Sequence, residues 1–233
     1  MAVLPADGHP PGQNGGQNGN GNGRRNGGLR LDLQLIAEMV ASGARVLDVG
    51  CGDGELLSHL ARTKGVDGRG IELSQERVNA CVARGLAVVQ GDADADLSYY
   101  PDASFDYVVL SRTLQAVYEP RRVLEQLLRV GRRAIVSFPN FGHWRVRLQL
   151  LTRGRMPETD LLPDPWWASK NLHLCTIVDF MDLCRTMGVH VERTVVLDDE
   201  GRRLPITVPG WRANLFGEQA ICLLSGGGRP AGE

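Results

Sequence analysis

Between Leu31 and about Ser225 the apolar positions follow two periods in turn, and that alternation predicts the architecture. Leu33, Ile36, Met39 and Val40 recur at helical spacing. Val46, Leu47 and Val49 then form a short, mostly β-branched run, as a strand covered on both faces by helices requires. A helix is expected from Asp53 to about Lys64, carrying Leu56, Leu57 and Leu60, followed by a strand that ends in Gly70-Ile71-Glu72. Ser74 is placed to N-cap the next helix through Val78 and Val82. Ala87-Val88-Val89, Tyr107-Val108-Val109-Leu110 and Ala134-Ile135-Val136-Ser137-Phe138 read as further strands. Pro120 opens a helix before the last of these, ahead of Val123, Leu124, Leu127 and Leu128. Thr176 with Asp179 three residues on is a capping-box start for a helix through Phe180, Met181 and Leu183 that ends at Gly188. Strands near 189–197 and 219–224 bring the total to about seven, which predicts a doubly wound α/β sheet.

Composition sets the limits of that domain. Residues 1–28 are dominated by Gly, Asn and Pro, cannot offset chain entropy by burying apolar surface, and are expected to be a disordered leader. The folded unit is expected over 29–225, with a short tail at 226–233. An insertion at about 139–171 holds more Trp, Pro and Arg than a connector needs. Arg24-Arg25 is followed by no apolar run of an export signal, and no stretch approaches about 20 apolar residues, so a membrane partner is not expected. The formal charge of −1 and pI near 6.5 give no broad electrostatic footprint for nucleic acid. The five cysteines are scattered without a Cys-x-x-Cys pair, which argues against a disulfide framework or structural zinc and for reduced thiols in cytoplasm.

The chemistry is concentrated where the first long strand ends. In Asp48-Val49-Gly50-Cys51-Gly52-Asp53-Gly54 the glycines supply backbone freedom and let a ligand approach the main chain, while the following helix points its first amides at it. Cys51 fits this turn as a small residue better than as a reactive thiol. The dinucleotide fingerprint would place a third glycine three residues after the second, where Glu55 stands; the spacing favours a cofactor without a pyrophosphate over a nicotinamide dinucleotide. Glu72, about 20 residues on, is placed to accept hydrogen bonds from ribose hydroxyls. Asp92 follows the next strand, where it can accept from an exocyclic adenine amine while Ala93 packs near the ring. For Glu72 and Asp92 the competing reading is a solvated loop carboxylate.

Taken in order, the Asp48–Gly54 turn, Glu72, Gly91-Asp92-Ala93 and Phe105-Asp106-Tyr107-Val108 with Ser111 resemble the class I S-adenosylmethionine-dependent methyltransferases, a Rossmann-like fold. The resemblance implies S-adenosyl-L-methionine as cofactor. Asp48, Gly50, Cys51 and Gly52 would line its methionine and ribose portion, Glu72 its ribose, and Asp92 and Ala93 its adenine, with Ser111 at the end of the following strand. Asp32-Leu33-Gln34-Leu35-Ile36, Gln90-Gly91-Asp92-Ala93-Asp94, Ser111-Arg112-Thr113-Leu114-Gln115 and above all Ser137-Phe138-Pro139-Asn140-Phe141-Gly142-His143-Trp144 are similar to the MetW family of methionine-biosynthesis proteins. That resemblance implies action with a homoserine O-acyltransferase in the acylation of homoserine.

Methyl transfer to oxygen or nitrogen needs an aligned acceptor and often a base. Where related methyltransferases carry a histidine after the fourth strand, Gln115 stands here and cannot act as one. His143 and Tyr118 are the remaining catalytic candidates, with His173 a packed or capping residue. His143, among Phe141, Trp144, Arg145 and Arg147, reads more as a recognition surface than as a catalytic base. Trp166-Trp167 with Arg153 and Arg155 match interface chemistry, the competing reading being a roof over the sheet. Two functions stay open: a cofactor-binding partner of the acyltransferase, and a true small-molecule methyltransferase. A nicotinamide-dependent oxidoreductase is the weaker third.

Overall fold

The computed structural model describes residues 25–226 apart from 27, 160, 162–164, 170–172, 207 and 209. Most of the Gly/Asn-rich leader, Pro163 and the tail from 227 therefore lie outside the described residues. Two residues of the leader, Arg25–Asn26 (β1), pair antiparallel with Leu29–Arg30 (β2), so strand pairing begins before the expected domain boundary.

Seven strands form the main sheet: β3 (Arg45–Val49), β4 (Asp67–Glu72), β5 (Ala87–Gln90), β6 (Phe105–Ser111), β7 (Gly131–Pro139), β8 (His190–Leu197) and β9 (Gln219–Ser225). Their spatial order is β5-β4-β3-β6-β7-β9-β8, with the first five parallel and β9 antiparallel to both of its neighbours. The expected doubly wound sheet of seven strands is present. Strand order reverses between β3 and β6, and the parallel strands all end at the same edge, so a crevice opens there beyond Val49, Glu72, Gln90 and Ser111.

Alternation along the strands divides the core. Val46, Val109, Ile135 and Ile221 meet α1 (Leu31–Met39) and α2 (Glu55–Lys64). Val88 meets Val78 and Cys81 of α3 (Gln75–Ala83), together with Leu57 of α2. On the opposite face Leu47, Val108, Leu110, Val136 and Phe138 meet α4 (Pro120–Val130), α6 (Ile177–Thr186) and α7 (Trp211–Phe216). Phe138 and Phe180 pack with ring centroids 4.6 Å apart. No helix among the described residues is long and apolar enough to cross a membrane.

Three expectations shift. The helix after the glycine turn starts at Glu55, with Gly54 before it at φ 72°, rather than at Asp53. Ser74 precedes α3 but makes no side-chain cap; its amide donates instead to Glu72 Oε1 at 3.0 Å. The expected insertion contains a regular ten-residue helix, α5 (Trp144–Arg153), which buries only Val146 and so shows no apolar stripe toward the core. The capping box at Thr176 and Asp179 forms as expected, with Asp179 N donating to Thr176 Oγ1 and Thr176 N to Asp179 Oδ2.

Asn140 knits together the end of β7, α6 and α7. Its Nδ2 donates to Asn214 O and Gly217 O, and its Oδ1 accepts from Gly142 N and Ile177 N, at 2.7–3.1 Å. Replacement by alanine strands buried backbone groups, each costing about 1–3 kcal/mol. Asn140→Ala is expected to lower stability by about 3 kcal/mol in urea unfolding, and a midpoint equal to that of the wild type contradicts the assigned role.

Candidate functional site

The turn after β3 is hung on the neighbouring strand. Gly50 N and Cys51 N both donate to Ile71 O, at 2.8 and 3.1 Å, and Gly54 N to Cys51 O at 3.0 Å. Gly50 has φ +73°, and a Cβ there would stand 2.7 Å from Thr113 Oγ1, so a side chain is excluded by both conformation and space. Gly52 has φ +56° with nothing within 4 Å of a would-be Cβ, so its main chain borders open space. A ligand can lie directly against the backbone there.

Glu72 is the partner that orients this turn. It is buried, and its two oxygens accept from Gly52 N at 2.8 Å and Ser74 N at 3.0 Å. Each carboxylate oxygen has a second acceptor site, so the group remains able to take hydroxyl protons from a ligand. Gly91 N donates to Glu72 O at 3.1 Å, which brings the loop after β5 to the same strand end. In that loop Asp92 Oδ1 accepts from Asp94 N, and Asp96 Oδ2 from Asp92 N. Glu72, Gly52 and the Asp92-Ala93 loop are therefore brought together.

Other expected residues sit differently. Cys51 turns inward: its Sγ lies against Gly70, where a Cβ would come within 2.7 Å, and burial pushes its thiol well above the ordinary range. Thiolate chemistry is disfavoured. Ser111 Oγ lies 3.2 Å from Ser137 Oγ, turned toward β7. Asp48 is buried on the α1 side of the sheet. Burial pushes its carboxyl up to about 7; Glu72 adds to the rise and Arg30 opposes it.

The catalytic candidates do not form a unit. His143 is buried at the N-cap of α5, its ring 5.8 Å from that of Trp144. Burial, reinforced by Arg145, holds it below the usual imidazole value while Asp199 opposes, so it is neutral near pH 7. Tyr118 is exposed, and its amide donates to the Asp94 carboxylate at 3.0 Å. His173 Nε2 lies 3.1 Å from Tyr118 O. Gln115 is almost wholly buried; its Nε2 donates to Pro139 O at 3.0 Å, and its main-chain O accepts from His173 N at 3.0 Å. Cys175 Sγ lies 3.5 Å from the same Nε2. The segment 173–175 therefore covers the position where an acceptor-activating base was sought. Trp166 and Trp167 are exposed, packed edge to face 6.0 Å apart, and do not roof the sheet.

Three residues escaped the sequence reading. Asp94 accepts from both Tyr118 N and Glu119 N, anchoring the start of α4 to the loop after β5; its only signal was a second carboxylate two residues from Asp92. Arg30 grips Asp32 through two hydrogen bonds of 2.9–3.1 Å, and Gln219 Nε2 joins them at 3.2 Å. Arg112 stands at φ +58° directly beyond Ser111, a conformation that residue type does not announce.

A family model described as methionine biosynthesis protein MetW matches residues 30–224. The bifunctional methionine biosynthesis protein MetXA/MetW of Rhodopirellula baltica is 38% identical over 184 residues, 75% of this chain and 30% of that protein. The fatty-acid O-methyltransferase of Mycolicibacterium smegmatis is 44% identical over 78 residues, 31% of this chain and 28% of that enzyme. The chain thus spans about 30% of the length of these curated relatives. Among solved structures, an Archaeoglobus fulgidus SAM-dependent methyltransferase aligns with TM-score 0.61 at 16% identity, covering 83% of this chain and 90% of that one. The Haloferax volcanii complex of the Trm112 methyltransferase activator with a methyltransferase aligns with TM-score 0.61 at 18% identity, covering 84% and 88%. The fold is that of the class I methyltransferases.

Asp48 gives the site a pH signature. Its folded value, about 7, lies above the ordinary carboxylate value, so between about pH 4 and 7 the native state holds a proton that the unfolded state has lost. Stability is expected to fall as pH rises through this window, by up to about 4 kcal/mol. Asp48→Asn is expected to flatten that slope and to be the more stable protein at pH 8; urea unfolding at pH 5 and 8 reads both, and parallel pH profiles contradict it.

Proposed function

The chain belongs to the MetW family, and from that premise we propose that it binds S-adenosyl-L-methionine at the glycine turn and acts with a homoserine O-acyltransferase in the acylation of homoserine. The observation that carries the first half is the Glu72 carboxylate, buried and oriented by Gly52 N and Ser74 N beside open main chain. Glu72 takes the ribose hydroxyls, Gly50 and Gly52 let the amino-acid arm lie against the backbone, and Asp92 with Ala93 receives the adenine. Asp48 lines the methionine and ribose portion from below, while Cys51, turned inward, and Ser111, against Ser137, shape the turn and its floor. When bound, the cofactor supplies a sulfonium-activated methyl group.

The second half rests on the Rhodopirellula baltica relative, whose name joins MetXA and MetW in one protein. In this reading the cofactor favours one conformation of the region after β7, and differential affinity for two conformations links acyltransferase activity to a methionine-derived molecule. The covered Gln115, with His173 and Cys175 over it, favours binding without transfer.

Calorimetric titration with S-adenosylmethionine and S-adenosylhomocysteine, with and without the acyltransferase, tests both halves. Saturable binding whose affinity changes with the partner is expected; no binding to folded protein sinks the reading. Glu72→Gln removes an ionic acceptor, each such hydrogen bond contributing about 1.5–3 kcal/mol, and is expected to weaken binding 10- to 100-fold. Label transferred from the cofactor's methyl group to a small molecule would establish the methyltransferase alternative, with His143→Ala and Tyr118→Phe as its variants.

A further inference from the structure

Helix α5 is a ten-residue helix that buries a single side chain, Val146. Helices of this length are marginal in water and depend on packing of an apolar face. The face opposite Val146 is apolar as well. Trp144, Leu148 and Leu151 lie at i, i+4 and i+7 on one stripe and stay exposed, Leu151 by 84%. On the same stripe Arg147, whose Nε donates to Gly142 O at 2.6 Å, lines a hollow of about 380 Å³ with Val178, Trp211 and Asn214. Trp211, at the start of α7, is 67% exposed. Arg147 and Trp211 thus bring α5 and α7 to one hollow, and the exposed apolar stripe of α5 continues from it.

The two helices themselves contribute charge of one sign. The α5 segment contains Arg145, Arg147 and Arg153 and no acidic residue; α7 contains Arg212 and none. Arg145 pairs with Asp199 at 2.6 Å, and its guanidinium stands 5.4 Å from the Trp144 ring centroid. Arg212 stands 5.4 Å from the ring of Trp211. Tryptophan and arginine around a hollow are the chemistry of an interface hot spot. A second copy of the chain meeting through this face would set arginines against arginines, since a two-fold contact uses the same patch on both sides. A bilayer would cover the leucines but leave the hollow unfilled.

We propose that the α5–α7 face docks a protein that presents an acidic rim around an apolar anchor, and, resting on the reading in the preceding subsection, that this protein is the homoserine O-acyltransferase. The anchor fills the hollow beside Trp211, and its acidic neighbours meet Arg147 and Arg212. Docking supplies the second packed face that α5 lacks.

The test uses the full chain and the purified acyltransferase. Leu151→Glu and Arg212→Glu are expected to raise the Kd of the complex at least tenfold, while Val82→Glu, an exposed apolar position on α3, leaves it unchanged. S-adenosylmethionine titration of each variant, free of partner, is expected to match wild type and confirms that the variants fold. Amide exchange within 144–153 is expected to slow only in the complex. A complex that forms with wild-type Kd in Leu151→Glu and Arg212→Glu overturns the surface and leaves the partnership standing. Absence of any wild-type complex overturns the partnership and the docking proposal together, while cofactor titration still judges the cofactor site. Self-association in sedimentation, or binding to phosphatidylglycerol vesicles, that Leu151→Glu abolishes would give the face to a second copy or to a bilayer and overturn the proposal.

Discussion

One hydrogen bond, from Gly52 N to the Glu72 carboxylate, is the constraint around which the ligand edge of the sheet is arranged. It joins the turn after β3 to the end of β4, and the same carboxylate then fixes the approach to α3 through Ser74 N. Glu72 also presents its main-chain oxygen to Gly91 N, so the loop after β5 is referenced to the same residue. A buried carboxylate without such partners would cost several kcal/mol. With two amides satisfied, it is held in one orientation with further acceptor sites left on both oxygens. The turn and its partner are thus pre-arranged before any ligand arrives, and binding does not have to order them.

That arrangement depends on what the sheet permits. Strand order reverses between β3 and β6, which lets α2 and α4 lie on opposite faces and leaves the crevice open above Gly50. Thr113 closes against Gly50 from the β6 side, so the turn is pressed between two strand ends, with Arg112 held at positive φ beside it. Asp94 extends the system outward by holding the amides of Tyr118 and Glu119. Asp48 is the cost of the design. It is buried beside the carboxylate of Glu72 with the Arg30 charge as compensation, and its raised pKa records that the compensation is incomplete.

Most of the fold was legible because its signals are local and redundant. β3, β5, β6 and β7 each carry an apolar run, β4 is marked by Gly70-Ile71-Glu72 at its end, and the capping box at Thr176 announces α6 through two side chains that need only each other. The glycine turn and Glu72 were legible as well, since spacing along two adjacent parallel strands maps directly onto distance in space. The residues that were missed act over longer separations. The Arg30–Asp32–Gln219 contact spans 187 positions between Asp32 and Gln219, and no local pattern encodes it. The positive φ of Arg112 is imposed by surrounding packing. Helix α5 hid for a different reason: leucines on several sides and a single buried residue give it no amphipathic signature toward the core.

That failure of periodicity is itself informative about function. A helix whose sequence serves only the fold shows a stripe toward the core and polar residues outside. In α5 the charged residues are all arginine, and the apolar content faces away from Val146 as much as toward it. The sequence of α5 is therefore explained only in part by the contacts within this chain. The contrast with α4 is direct: Val123, Leu124, Leu127 and Val130 are all buried, and its exposed Arg121 and Arg122 are balanced by Glu125 and Glu119. Both helices follow strands of the same sheet, and both are basic. Arg145 of α5 finds Asp199, but only α4 has a core to cover its leucines, so the apolar stripe of α5 answers to something other than packing within the domain.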